Sequence, residues 1–260
     1  MSVREPAVAG LFYPDDPAAL AATVDELLAA EADRESRPQA IIVPHAGFVY
    51  SGPIAAAAYA SIDAETRRVA LFGPSHRVAF DGLALPTVDA FRTPLGDVVI
   101  DAAGRAAAAT LDGVVVDDRP HAGEHSLEVQ LPFLQRRLRD FTLLPFAVGH
   151  CPAETVAAVV DMLWDDDTLI VVSTDLSHYE AYDAAARHDA ATAAAIASCR
   201  PEAIANRDAC GAYPLRGLLH TVRAHASAVE CLDLRSSGDT NGPRDRVVGY
   251  GAFVVTGPER

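Results

Sequence analysis

Short apolar runs alternate along this chain with longer stretches whose apolar positions recur at helical spacing. Asp16-Pro17 carries the N-cap and first-turn signature of a helix. Leu20, Val24, Leu27 and Leu28 follow at i, i+4, i+7 and i+8, on one face. Apolar runs predict strands over 40–43, 69–73, 82–86, 98–100, 113–116, 142–148, 168–172, 229–234 and 246–255. Helices are predicted over about 51–61, opened by Ser51-Gly52-Pro53, and over 101–110, 126–138, 153–164, 182–198 and 214–226. Thr93-Pro94-Leu95-Gly96-Asp97 reads as a turn, and the Gly-, Asp- and Asn-rich stretch 236–245 as a loop. The charged connector 29–39 is too short to separate domains. Strands alternating with helices predict an α/β fold: a single domain over 1–260, with a mostly parallel central sheet flanked by helices. The region 82–100 adds antiparallel strands at one edge.

Composition narrows the function classes. Half of the 260 residues are hydrophobic, enough for a sizeable core. Net charge is −15, and all 21 basic residues are arginine. Such a surface disfavours nucleic acid, whose phosphates need a basic face, and disfavours an anionic membrane for the same reason. The absence of lysine excludes Schiff-base and P-loop lysine chemistry. Cys151, Cys199, Cys210 and Cys231 form no C-x-x-C pair, which fits a reducing cytoplasm better than secretion. The start, Met1-Ser2-Val3-Arg4-Glu5-Pro6, opens no apolar leader. A cytoplasmic location is the expectation.

Three histidines, His45, His76 and His178, each lie just past a predicted strand. Ligands of open α/β sheets gather at the carboxyl ends of strands, and imidazole is the commonest metal ligand. One strand-end histidine reads best as a structural residue, but three placed alike suggest a metal centre. In Pro44-His45-Ala46-Gly47, the glycine lets backbone approach a bound group; a tight turn around a buried histidine is the alternative. Gly73-Pro74-Ser75-His76 repeats the design, and two such histidines with open positions suit non-haem iron or zinc. His121-Ala122-Gly123-Glu124-His125 has the spacing of a zincin helix but not its context. Glu124, His125 and Glu128 read equally as partners of metal ligands, as proton carriers, or as a cluster capping a helix at Ser126. Asp175, three residues before His178, is placed to orient that imidazole as an acid–base unit or to cap a helix. Cys210, taken alone, reads as a buried inert cysteine. His150 has no evident partner, and His188, His220 and His225 read as solvated helix residues.

With these residues in view, the chain resembles the Memo family, also called AmmeMemoRadiSam system protein B. Arg4-Glu5-Pro6-Ala7-Val8-Ala9-Gly10-Leu11-Phe12-Tyr13-Pro14 resembles the family's opening. Pro44-His45-Ala46-Gly47, Gly73-Pro74-Ser75-His76, Glu124-His125-Ser126-Leu127-Glu128 and Ser173-Thr174-Asp175-Leu176-Ser177-His178-Tyr179 follow in the family's order. Ser237-Gly238-Asp239-Thr240 and Arg246-Val247-Val248-Gly249-Tyr250 resemble its closing strand. The resemblance implies a fold similar to class III extradiol dioxygenases and a metal site of two histidines and a cysteine, here His45, His76 and Cys210. It places Asp175 and His178 in the same pocket, with His178 as the acid–base residue and His125 nearby. Thiolate in place of the dioxygenases' carboxylate shifts preference toward copper or zinc. Ala212-Tyr213 stands where animal members carry Arg-His.

The expected function is a metal-binding redox enzyme, dioxygenase-like, using Fe2+ (with copper or zinc as alternatives) on a small-molecule substrate. His45, His76 and Cys210 hold the metal; His178 moves protons, oriented by Asp175 and assisted by His125. A non-catalytic metal- or peptide-binding module and a zinc-dependent hydrolase are the competing classes. The family name implies a functional link to radical-SAM and AMMECR1-type proteins.

Overall fold

The structure, a computed structural model, describes residues 1–31 and 37–257. Five residues of the connector read over 29–39 lie outside that set. The chain runs β1 (Val3–Arg4), α1 (Pro17–Ala29), β2 (Ala40–Val43), α2 (Phe48–Tyr59), β3 (Arg68–Pro74) and β4 (Leu83–Leu85). A hairpin of β5 (Ala90–Thr93) and β6 (Gly96–Val99) leads to α3 (Ala102–Ala108), β7 (Val114–Val116), α4 (Arg119–Ala122) and α5 (Leu131–Arg137). Then come β8 (Thr142–Val148), α6 (Ala153–Met162), β9 (Thr168–Ser173), β10 (His178–Glu180), α7 (Tyr182–Ala197) and α8 (Ala212–Ala224). The long strands β11 (Ala228–Ser236) and β12 (Val247–Thr256) follow.

The main sheet has the order β10-β12-β2-β9-β3-β8-β4-β7, with β11 also on β12. Its centre, β2-β9-β3-β8, is parallel, as expected for an α/β fold. Antiparallel pairing flanks that centre on both sides, through β12 on β2 and β4 on β8, rather than at the one predicted edge. The hairpin from the 82–100 region joins β1 in a separate three-stranded sheet.

Alternation along the central strands builds a layer on each face. Ile41, Val43, Val69, Leu71, Leu169 and Val171 pack with α1, α2 and α5. Ala40, Ile42, Ala70, Phe72, Ile170 and Val172 pack with α6, α7 and α8. With both faces covered, these strands read as unbroken apolar runs. No helix of the described residues is long and apolar enough to cross a membrane.

Two predicted helices differ in a way that shapes the site. α2 begins at Phe48, with Gly47 as N-cap and Pro53 inside it. Ser51 Oγ donates to the Ala46 carbonyl at 2.9 Å, so the first turn forms upstream of the Ser-Gly-Pro signal. The helix expected over 126–138 is a short 3-10 turn, Glu128–Gln130, followed by α5. Pro132 opens α5 as a first-turn proline, while Glu128 and Gln130 turn their polar ends inward, fully buried.

Candidate metal centre

β2, β9 and β3 lie side by side and parallel. Their carboxyl ends therefore deliver His45, Asp175 and His76 to one edge of the sheet, where open α/β folds bind ligands. The 121–128 segment supplies His125 from above β3, and the loop before α8 supplies Cys210. The ring centres of His45 and His76 lie 5.2 Å apart, those of His45 and His125 5.4 Å, and those of His76 and His125 4.8 Å. One donor atom from each of these three residues falls within 4.8 Å of the others. His125, expected as an assisting residue, is thus a full member of the cluster. Cys210 is not in that triad, but its Sγ lies 3.3 Å from His45 Nε2.

The hydrogen bonds behind these rings fix which nitrogen faces out. Ser173 Oγ donates to the Ser126 carbonyl at 2.6 Å. It accepts from Gln130 Nε2 at 2.9 Å and lies 2.8 Å from His45 Nδ1. A hydroxyl has one proton to give. With that proton committed to Ser126, His45 must donate from Nδ1, leaving its Nε2 lone pair directed at Cys210. Gln130 is held in turn by Tyr59 Oη and by the Pro44 carbonyl, each at 2.9 Å. His76 Nδ1 lies 2.9 Å from Glu124 Oε1, an acceptor-only carboxylate, so its Nε2 is also free. Metal-bound imidazoles are ordinarily held this way by a carboxylate or carbonyl behind them. His125 Nδ1 is buried and makes no well-aligned hydrogen bond, though Glu124 Oε1 lies 3.2 Å from it. This donor set fits a divalent first-row metal.

Burial disfavours charge on two of these rings. Burial, reinforced by His76 and His125, holds His45 well below the usual imidazole range. Burial likewise lowers His125. Burial raises the Glu124 carboxyl, but the His76 hydrogen bond and charge and the backbone amides of Ser126 and His76 outweigh it and bring it to about 2. The Cys210 thiol is pushed up to about 12 by burial and by the Asp175 charge.

Asp175 and His178 both reach the cleft, but not as a pair. Asp175 Oδ1 accepts the His45 amide at 2.7 Å, and residues 174–177 form no helical turn. The His178 ring is set instead by the Leu176 carbonyl, 2.8 Å from Nδ1, which leaves Nε2 as the acceptor. Asp175 bears on His178 through charge. Ser126 does not cap a helix; its Oγ donates to the Pro74 carbonyl at 2.8 Å, behind His76. Of the paired readings for the 124–128 acids, Glu124 is a partner of a cluster histidine. Glu128 belongs elsewhere: it accepts from Arg4 and Ala7 N at 2.7 Å, Val8 N at 3.0 Å and Tyr13 Oη at 2.6 Å. That staple brings the N-terminal segment over the site, where Phe12 packs 4.8 Å from the His125 ring.

Among the other histidines, His188 and His150 differ from expectation, whereas His225 is exposed as expected. His188 is not solvated: Glu180 and Asp208 hold its two nitrogens at 2.8 and 2.9 Å. His225 stacks on Trp164, and exposed His150 lies 3.3 Å from Asp81. Cys151 is buried as a packing residue, whereas Cys231 is exposed. Ser173, Gln130 and Tyr250 are site residues that the sequence reading left without a role. Polar residues inside apolar runs were the available signal for the first two.

The cluster forms the floor of an open cleft of about 940 Å3. A family model described as Memo-like protein matches residues 4–254. A MEMO1 family protein of Aquifex aeolicus is 36% identical, covering 96% of this chain and 98% of its own length. One from Methanopyrus kandleri is 35% identical, with 96% and 98% covered. Among solved structures, an uncharacterized protein from Escherichia coli K12 aligns with a TM-score of 0.51 at 10% identity, over 84% of this chain and all of that one. That likeness extends to the fold alone.

Proposed function

This chain belongs to the Memo family, and from that premise we propose that it is a metal-dependent redox enzyme, dioxygenase-like, which uses iron and O2 on a small organic substrate. The observation that carries the reading is the convergence of one ring nitrogen each from His45, His76 and His125, with the first two rings fixed from behind and Cys210 beside them, in one cleft. In this reading His45, His76 and Cys210 hold the ion. Iron bound there supplies the electron-transfer capacity that O2 chemistry needs, which no side chain can provide. Cys210 would hold the ion as a thiolate.

The chain's own residues do the rest. His178 Nε2 takes a proton from the substrate, with Leu176 fixing the tautomer. Asp175 holds the His45 backbone in place. His125 assists within the same cleft. The likeness to class III extradiol dioxygenases, a cytoplasmic setting and a link to radical-SAM and AMMECR1-type proteins belong to this same proposal.

The three-histidine geometry favours one variation: His125 in place of Cys210 as third ligand. Metal content separates the two, because Cys210→Ser loses the ion under the first arrangement and His125→Ala under the second. The function is tested with an O2-electrode trace on the iron-loaded protein supplied with a phenol or a reductant. Uptake that disappears in His178→Asn supports the enzyme. Bound iron with no uptake overturns it in favour of a metal- or peptide-binding module, and hydrolysis that needs zinc overturns it in favour of a hydrolase.

A further inference from the structure

The cleft carries the opposite charge to the rest of the molecule. The chain has a net charge of −15, yet three arginines line this cleft, Arg77, Arg207 and Arg246. They arrive from three separate segments: after β3, before α8 and before β12. Among the described residues, the one carboxylate lining the cleft is Asp175. It is 5% exposed and engaged by the His45 amide. Arg207 shares Asp208 at 3.5 Å. Arg77 and Arg246 have no carboxylate within 4 Å among the described residues. Arg77 follows His76 directly in the chain and acts on His125 through charge. The Arg246 guanidinium lies 5.2 Å from the centre of the Tyr179 ring, beside His178. A cleft of one sign on a protein of the other concentrates counter-charged ligands.

The same rim is apolar between its charges. Leu11 is 81% exposed, Val49 56% and Tyr179 64%, an uncommon density of bare apolar surface at a pocket mouth. Tyr179 also holds a left-handed backbone, φ 61°, without being glycine. Such strain persists where the surroundings hold it, and it gathers at ligand sites.

The geometry points to a small organic anion as the cleft's ligand: one carboxylate or phosphate group held by Arg77 and Arg246, on an aromatic or aliphatic body that lies against Leu11, Val49 and Tyr179. Guanidinium forks suit both oxyanions. The inference deepens the proposed function, since it rests on this cleft being the substrate site, but it does not depend on which metal the cluster holds.

The test compares 4-hydroxybenzoate with its neutral isostere 4-hydroxybenzamide, and with phenyl phosphate, by calorimetry on metal-free and zinc-loaded full-length protein. The anions are expected to bind about tenfold tighter than the amide, the value of one charge-assisted contact. That preference should shrink with added salt. Which of the two anions binds tighter identifies the oxyanion. Arg77→Gln with Arg246→Gln should erase the preference while leaving amide affinity and zinc content unchanged. Equal affinity for anion and amide, no binding of any probe at millimolar concentration, or a preference that survives the double substitution overturns the inference. His45→Ala keeps the two readings apart: it should lose the metal and retain the anion preference in metal-free protein. Metal retained in that variant refutes the metal centre and leaves the anion site standing.

Discussion

Glu128→Gln is the substitution whose cost follows most directly from the structure. The carboxylate is fully buried and receives four donors: Arg4, two backbone amides and the Tyr13 hydroxyl. Arg4 itself is 7% exposed, and its other nitrogens bond the carbonyls of His121 and Glu124. Gln keeps the size but removes the counter-charge and turns an amide NH2 toward groups that need an acceptor. Breaking a buried pair from one side costs about 3–5 kcal/mol, because the remaining charge stays buried and unpaired. At about 2–4 °C per kcal/mol for a chain of this size, the melting temperature should fall by roughly 10 °C. Urea unfolding followed by circular dichroism gives the free energy. Arg4→Met should cost less, since Glu128 keeps three donors, and the double variant should be more stable than the two single losses summed. Hydrogen exchange over residues 7–13 should quicken in Glu128→Gln, since that carboxylate pins the segment which brings Phe12 onto His125. A loss below about 1 kcal/mol, or strict additivity, would refute the staple.

Other consequences are as direct. Glu124→Gln removes the carboxylate behind His76, and metal affinity should drop about 10–100-fold in a chelator competition; unchanged affinity would remove Glu124 from the site. Gly211→Ala would place a methyl 2.7 Å from Thr174 Cβ and 2.8 Å from the Ser173 carbonyl, beside Cys210. Overpacking there should cost about 1–3 kcal/mol in urea unfolding and weaken metal binding with it; a neutral effect on both would count against Cys210 being held by this contact. The Asp208 and Glu180 hydrogen bonds raise the His188 pKa above 6.5. A raised folded pKa means the contribution is complete below the unfolded value and is lost as pH rises through the folded one. The urea midpoint of the native protein relative to His188→Gln should therefore be highest in acid and should converge with it above neutrality; a constant gap would refute the pairing.

The fold class and the strand-end histidines were legible because each is a local pattern. An apolar run followed by a small-residue turn says where a parallel strand ends, and His45 and His76 stand at that place. The family likewise shows in short motifs kept in order. What stayed hidden depends on contacts between distant residues. Asp175 is three residues from His178, yet it serves the amide of His45, 130 positions away. Glu128 looks like a helix residue and instead meets Arg4, 124 positions away. The 126–138 stretch has helical periodicity, but Pro132 and inward-turned Glu128 and Gln130 divide it. His188 sits on the expected helix, and only the fold brings Glu180 and Asp208 to its two sides. The arginines of the cleft come from three loops, so no sequence window shows them as a patch.

The central claim is that His45, His76 and a neighbouring donor hold a redox metal. Metal content after anaerobic purification, measured on the native chain and on His45→Ala in parallel, tests it most directly. The account predicts near-stoichiometric iron in the native protein and none in the variant, with both folded by circular dichroism. A native protein without bound metal, or a variant that keeps its full complement, would contradict it and return these histidines to a structural role.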